Sequence, residues 1–267
     1  MARTLCCASF VTTIAFGVAS TLSIANAQSR QTLKDSVLGG ITARGRALAS
    51  YDFAAWHASE SIPRPLPKIQ GLGLFVGIQS PQGWVISFGE LTVNRDTFLV
   101  HFLAHPTRDP ARPRLEVQRV PTVASPAELT RARALSTALS DFGSPNRPYN
   151  MAVLPADEGR LWVYIYPAIT RARVYPHGGD VRYLISSDGQ TIVQKRQMHS
   201  SIIEGVIPAG AAHGMHTAIL DDVPEDTDVF YVLTREPKID ERVITSSYVF
   251  TVHLDGSITW VHRGEGN

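Results

Sequence analysis

"DVRYLISSDGQTIVQKRQMH", residues 180–199, predicts an antiparallel β-hairpin and sets the fold class of the chain. Two runs rich in β-branched and aromatic residues flank Asp188-Gly189, and an Asp-Gly pair between such runs is the strongest short-range signal of a tight hairpin turn. The stretch "SSYVFTVHLDGSITWVHR", residues 246–263, repeats this pattern around Asp255-Gly256. The second half of the chain is therefore expected to be rich in antiparallel sheet.

Further strands are expected on both sides of these hairpins. Residues 72–93 contain two apolar runs around the turn signal Ser80-Pro81-Gln82-Gly83, which predicts another hairpin. Single strands are predicted at "TFLVHFLAH" (97–105), "LEVQRVPTV" (115–123), "LWVYIYPA" (161–168) and "DVFYVLTREP" (228–237).

Two main helices are predicted. Residues 31–58 place Ile41, Leu48 and Tyr51 on one face at helical spacing. Residues 126–142 follow Ser125, with Pro126 at the first helical position and Glu128 three residues past the cap, as a capping box requires. Since helices and strands do not alternate as βαβ units, the predicted class is α+β with a predominantly antiparallel sheet.

The first 27 residues have the three parts of a secretory signal peptide. Arg3 supplies the positive start, Leu5 to Ile24 is an uncharged and mostly apolar run, and Ala25-Asn26-Ala27 offers the small-residue cleavage pattern. Cleavage is expected before Gln28. The exported chain, 28–267, is then periplasmic or extracellular and forms either a single α+β domain or two subdomains joined near 105–125.

The charge and the cysteine content of the chain limit the kinds of molecule that it is expected to bind and the way in which it can be stabilised. The chain has 25 Lys and Arg against 24 Asp and Glu, and loss of Arg3 with the signal makes the two equal. A protein that binds nucleic acid in general would carry a basic excess. Cys6 and Cys7 leave with the signal, so the mature chain is free of cysteine and must be stable without disulfides. No segment after the signal is apolar enough to span a membrane.

The stretch "AAHGMHTAILDDVPEDTDV", residues 211–229, is the main candidate for a metal site. Imidazole and carboxylate groups bind zinc, and a catalytic zinc needs three such ligands and one open position. The candidate ligands are His199, His213, His216, Asp226 and Asp228, with Glu204 as a candidate general base. The alternative is a solvated loop in which Asp221 or Asp222 caps a turn.

Residues 216–228, "HTAILDDVPEDTD", are similar to the motif of the JAMM-type metalloproteases, in which His-Ser/Thr-His precedes a Ser and an Asp. His216 and Thr217 match the first two positions. Ala218 stands where the motif has its second histidine, and the intervals to the Ser and Asp also differ. The chain therefore lacks the complete ligand set of that family.

A second candidate is "HGGD", His177 to Asp180, in which two flexible glycines separate an imidazole from a carboxylate. The glycines would let the backbone approach a ligand closely. The alternative is a hairpin or bulge turn, with Asp180 opening the next strand.

No motif nominates a nucleophile: the chain has no G-x-S-x-G elbow, no phosphate-cradling glycine loop and no cysteine after the signal. The sequence therefore favours an exported, non-catalytic globular protein without a cofactor, which binds a protein, a peptide or a component of the cell envelope. The alternative is a metal-dependent hydrolase, with zinc held by a His/Asp site in residues 199–228.

Overall fold

The computed structural model describes residues 18–63, 73–208 and 210–264, with the side chains of the first helix described from residue 34 onward. Within these ranges the chain forms three α-helices and fourteen strands in four sheets. The predicted α+β class is confirmed. The predicted signal peptide, 1–27, lies mostly outside the described residues and stays a prediction.

The three helices are α1 (Val18–Glu60), α2 (Pro126–Phe142) and α3 (Asp226–Thr234). Helix α1 contains the predicted helix 31–58, and α2 has the predicted bounds. Ser125 and Glu128 form the predicted capping box of α2, in which the Ser125 side chain accepts the Glu128 backbone N–H. Among the helices described, none is long and apolar enough to cross a membrane.

Two of the four-stranded sheets are antiparallel throughout. The first contains, in order, β1 (Leu74–Ser80), β2 (Gly83–Leu91), β3 (Phe98–His105) and β4 (Arg114–Val123). The second contains β5 (Tyr149–Pro155), β6 (Leu161–Pro167), β8 (Val181–Ile185) and β9 (Ile192–Gln197); between β6 and β8, the short β7 (His177–Gly178) pairs instead with β10 (Ile202–Ile203).

The third four-stranded sheet has one parallel pair. It contains β11 (His213–Thr217), β12 (Asp240–Ile244), β13 (Tyr248–Val252) and β14 (Ile258–His262), and β11 runs parallel to β12. The predicted hairpins are present: Asp188-Gly189 joins β8 to β9, and Asp255-Gly256 joins β13 to β14.

Helix α1 lies at the centre of the fold because it contributes to two cores. Its Leu48 and Tyr51 pack with Trp84 of the first sheet and with Tyr164 and Tyr166 of the second. Nearer its N-terminus, Leu38 and Ile41 form a core with α3 and the third sheet. Helix α2 covers the second sheet through Leu135 and Ala138.

The predicted strand at 228–237 is wrong, because residues 226–234 form α3. Val229 and Val232, three residues apart, are both fully buried against α1 and the third sheet, so the apolar spacing that decides this segment is helical. Helix α3 connects the parallel strands β11 and β12, which makes the βαβ unit that the sequence pattern did not reveal.

Gly45 of α1 sets how closely α3 can approach. A Cβ atom at this position would lie 2.6 Å from the carbonyl oxygen of Asp226 and 2.5 Å from Cβ of Val229. Only glycine therefore lets the two helices come this close, and the contact fixes the first turn of α3, which carries Asp226 and Asp228.

Candidate metal centre

Three histidines and one aspartate meet in the interior, where the third sheet approaches β7 and β10. They are His177, His199, His216 and Asp228, and one ligand atom of each lies within 4.8 Å of the others. All four side chains are buried, and Asp228 is fully buried. They come from four separate places: β7, the segment just after β9, β11 and the first turn of α3.

The three imidazoles converge on one oxygen atom, Oδ1 of Asp228. The distances from Nε2 to this atom are 2.9 Å for His177, 3.1 Å for His199 and 3.2 Å for His216. The other carboxylate oxygen of Asp228 accepts the backbone N–H of Glu225 at 2.7 Å. Asp228 thus satisfies an orphan donor at the start of α3 with one oxygen and faces the histidines with the other.

Buried carboxylates hold two of the rings from behind. Nδ1 of His199 lies 2.8 Å from Oδ1 of Asp180, and Nδ1 of His216 lies 3.0 Å from Oε1 of Glu241. Arg235 in turn donates to Glu241 at 2.6 Å. A carboxylate can only accept, so each Nδ1 carries a proton. A neutral ring then presents the bare lone pair of its Nε2 to Asp228.

A bare lone pair that faces a carboxylate oxygen is repulsive unless a cation lies between them. His216 is such a case: its buried Nε2 lies 3.2 Å from Asp228 Oδ1 without the geometry of a hydrogen bond. The gap must be filled by a second proton on the imidazole or by a metal ion.

The pKa values show how strongly the site attracts positive charge. Burial lowers the pKa of His199, but the carboxylates of Asp228 and Asp180 outweigh it and raise the value to about 11. For His216, burial is likewise outweighed by Asp228 and Glu241, and the pKa is raised to about 9. Burial dominates at His177 and lowers its pKa. When the imidazoles are neutral, the carboxylates of Asp180, Glu241 and Asp228 carry more negative charge than the guanidinium of Arg235 balances. A divalent cation would neutralise this excess negative charge.

The third ring is oriented by stacking. His177 lies parallel to the ring of Tyr231, with centroids 4.2 Å apart and an interplanar angle of 9°. The guanidinium of Arg235 lies 4.5 Å from the Tyr231 ring. Tyr231 is on α3, one turn after Asp228, so the same helix supplies both a ligand atom and the support of a second ligand.

Glycines allow the close approach of the chain segments that carry these groups. Gly178 has φ +87°, and a Cβ there would collide with the carbonyl oxygen of Ser201. A Cβ at Gly214 would collide with the carboxylate of Glu241 and lie 3.0 Å from Arg235 Nη1. The glycines of "HGGD" and "HGMH" are therefore needed to assemble the centre.

The structure brings together three of the predicted metal ligands, His199, His216 and Asp228. It adds His177 from the separate "HGGD" candidate, whose Asp180 bonds to His199. Sequence reasoning treated the two stretches as unrelated sites. The Gly-Gly pair beside His177 was the available signal, because it indicates close backbone approach at this point.

His213, Asp226 and Glu204 are placed elsewhere. His213 is exposed on β11, where three residues from His216 means the opposite face of the strand. The fully buried Asp226 accepts from Arg44 and Tyr164 and pairs with Arg182. Glu204, the candidate general base, pairs instead with Arg147 at 2.8 Å and Arg171 at 3.5 Å.

The acidic residues next to the centre lie in a polar loop, which is the alternative that the sequence left open for this stretch. Asp222 accepts the backbone N–H of Ser247 at 3.1 Å and the hydroxyl of Ser246 at 3.0 Å, and Asp221 pairs with Arg196 at 2.7 Å. The stretch 211–229 thus contains both structures that the sequence suggested. Its middle part is a polar loop, and His216 before this loop and Asp228 after it belong to the buried His/Asp centre.

The chain matches no known family of proteins, no curated protein and no solved structure.

Proposed function

We propose that this protein is an exported zinc-binding protein whose ion is held by Nε2 of His177, His199 and His216 and by a carboxylate oxygen of Asp228. One observation carries the proposal: three buried Nε2 atoms face the same carboxylate oxygen, and two of the rings have Nδ1 bonded to buried carboxylates. Zinc ligands of the imidazole type almost always donate their other ring N–H to such a partner.

The spacing of the four groups supports zinc. Ligands about 2.0–2.1 Å from a tetrahedral ion lie about 3.3–3.4 Å from one another. The distances between Asp228 Oδ1 and the three Nε2 atoms are 2.9, 3.1 and 3.2 Å. Around an ion, these three distances would change by a few tenths of an ångström, and all four candidate ligand atoms lie within 4.8 Å of one another. The set of three imidazoles and one carboxylate suits zinc better than magnesium or calcium, which prefer oxygen ligands.

The test compares two histidines of the same strand. Wild-type protein, saturated with zinc and then freed of loosely bound metal, is expected to hold one zinc per chain by elemental analysis. His216→Ala should lose this zinc, because it removes one of the four ligands. His213→Ala should keep it, because His213 is exposed and lies outside the cluster.

A wild-type protein without stoichiometric zinc, whose melting temperature does not rise when zinc is added, would overturn the proposal. Equal zinc content in the two variants would do the same. Melting temperatures of the metal-free proteins show whether each variant is folded.

Export is supported by the pattern of residues 1–27, with its positive start, apolar run and small-residue end. Expression in a bacterium with an active secretory system should yield a chain beginning at Gln28 outside the cytoplasm. A chain that keeps its first residues and stays in the cytoplasm would contradict export and leave the zinc proposal standing. Binding of a protein, a peptide or a cell-envelope component remains a prediction from sequence.

A further inference from the structure

A narrow cleft connects the centre to the protein surface. The three imidazoles line its inner end, and its walls include Ser200, Ser201 and Ile203 after β9 and residues 217–220 at the end of β11. Its volume is about 30 Å³, roughly the space of one water molecule.

The cleft reaches the centre on the side of its imidazoles. His177, His199 and His216 line it, whereas the fully buried Asp228 does not. A bound ion would therefore have its carboxylate ligand towards the interior and its imidazole ligands towards the cleft. The unpaired Nε2 of His216 belongs to a residue that lines this cleft.

From this asymmetry we infer that the ion keeps an exchangeable coordination position, which faces the cleft and takes water or a small monodentate anion. The inference depends on the zinc site proposed above. Zinc with four protein ligands can expand to five-coordinate, and catalytic zinc sites differ from structural ones in keeping a position for water. A fully closed site would have no need of a passage leading to its imidazoles.

The walls of the cleft restrict what can bind. Ile203, Ile219 and Leu220 line it and expose between 49 and 70 % of their surface, so its mouth is apolar. A linear anion such as azide can reach the ion end-on, whereas a bulky chelator cannot enter without moving both walls.

Cobalt-substituted protein provides the test, because the visible absorption of Co²⁺ changes with coordination number. We expect saturable binding of azide with a change in these bands, and an unchanged cobalt content after azide is removed by dialysis. Ile219→Trp and Ser200→Trp place a bulky ring at exposed positions of the cleft wall without altering a ligand. Each should retain cobalt and bind azide at least tenfold more weakly.

Met215→Trp is the matched control, since Met215 is an exposed apolar residue on β11 that faces away from His216 and does not line the cleft. It should bind azide like the wild type. Stoichiometric cobalt with a spectrum insensitive to azide would overturn the exchangeable position and leave the metal site intact. Failure to bind cobalt or zinc would overturn the metal site itself. Equal azide binding by all three tryptophan variants would show that the anion does not enter through this cleft.

Discussion

Asp180→Asn should weaken zinc binding although Asp180 is not a ligand. Asp180 is fully buried, with its side chain 2 % exposed, and its Oδ1 lies 2.8 Å from Nδ1 of His199. Asparagine has nearly the same shape and can still accept that hydrogen bond, but it lacks the negative charge that makes the imidazole more basic. The ring is then a weaker donor to the metal, and its orientation is less tightly fixed.

The size of the effect follows from linkage. Loss of such a partner costs about 10- to 100-fold in metal affinity, which is about 1.4–2.7 kcal/mol. At free zinc of about 100 times the wild-type Kd, the ion stabilises the wild-type protein by about 2.7 kcal/mol and the variant by about 0.4–1.4 kcal/mol. For a chain of this size, the zinc-dependent rise in Tm would fall from about 5–11 °C to about 1–6 °C.

The assay is a zinc titration with a competing chelator, together with thermal unfolding with and without zinc. Asp52→Asn is the control, because Asp52 is a partly buried carboxylate bonded to Tyr166 at 2.6 Å and lies outside the cluster. An unchanged zinc Kd for Asp180→Asn would refute the role assigned to Asp180. An equal loss in Asp52→Asn would show that the effect is not specific to the centre.

Three further predictions concern the surroundings of the centre. Asp226→Asn should keep the zinc stoichiometry but destabilise the fold by about 3 kcal/mol in urea unfolding, because Arg44 and Arg182 lose their buried anion; loss of zinc with unchanged stability would contradict it. Gly178→Ala should lower both stability and zinc affinity, because the added Cβ collides with Ser201. Gly143→Ala is the control: Gly143 also has a positive φ (+82°) but lies in open space, so zinc binding should be unchanged. Equal zinc affinity in the two variants would argue against a packing requirement at Gly178. Burial would raise the pKa of Asp222, but hydrogen bonds from Thr245, Ser247 and Ser246 outweigh it and lower the value to about 2. The ionised carboxylate therefore contributes to stability above pH 3.8, and this contribution is lost as the pH falls through 2. In unfolding measured against pH, Asp222→Asn should lose less stability than the wild type between these two values. Parallel stability curves for the two proteins would refute the assignment.

The hairpins and α2 could be predicted because their signals are local. The Asp-Gly turns, the capping box at Ser125 and the alternation of the flanking strands depend on residues close in sequence, so the same interactions exist in any fold that contains them. The segment 226–234 could not be assigned this way. Its dense apolar composition suits either a strand or a helix. In the structure it forms a helix that packs closely against α1 at Gly45, a contact between segments far apart in sequence.

By itself the sequence determined the α+β class, most of the elements and the residue types of the candidate metal centre. It also placed His199, His216 and Asp228 among the candidate ligands. Only the tertiary structure decided which of them meet. His177 contacts Asp228 across 51 positions of sequence, and His213 is excluded because successive side chains of a strand alternate between its faces, which puts His213 and His216, three residues apart, on opposite faces. The reason is physical: ligand geometry is set by strand pairing and helix contact between distant segments, and spacing along the chain does not encode it.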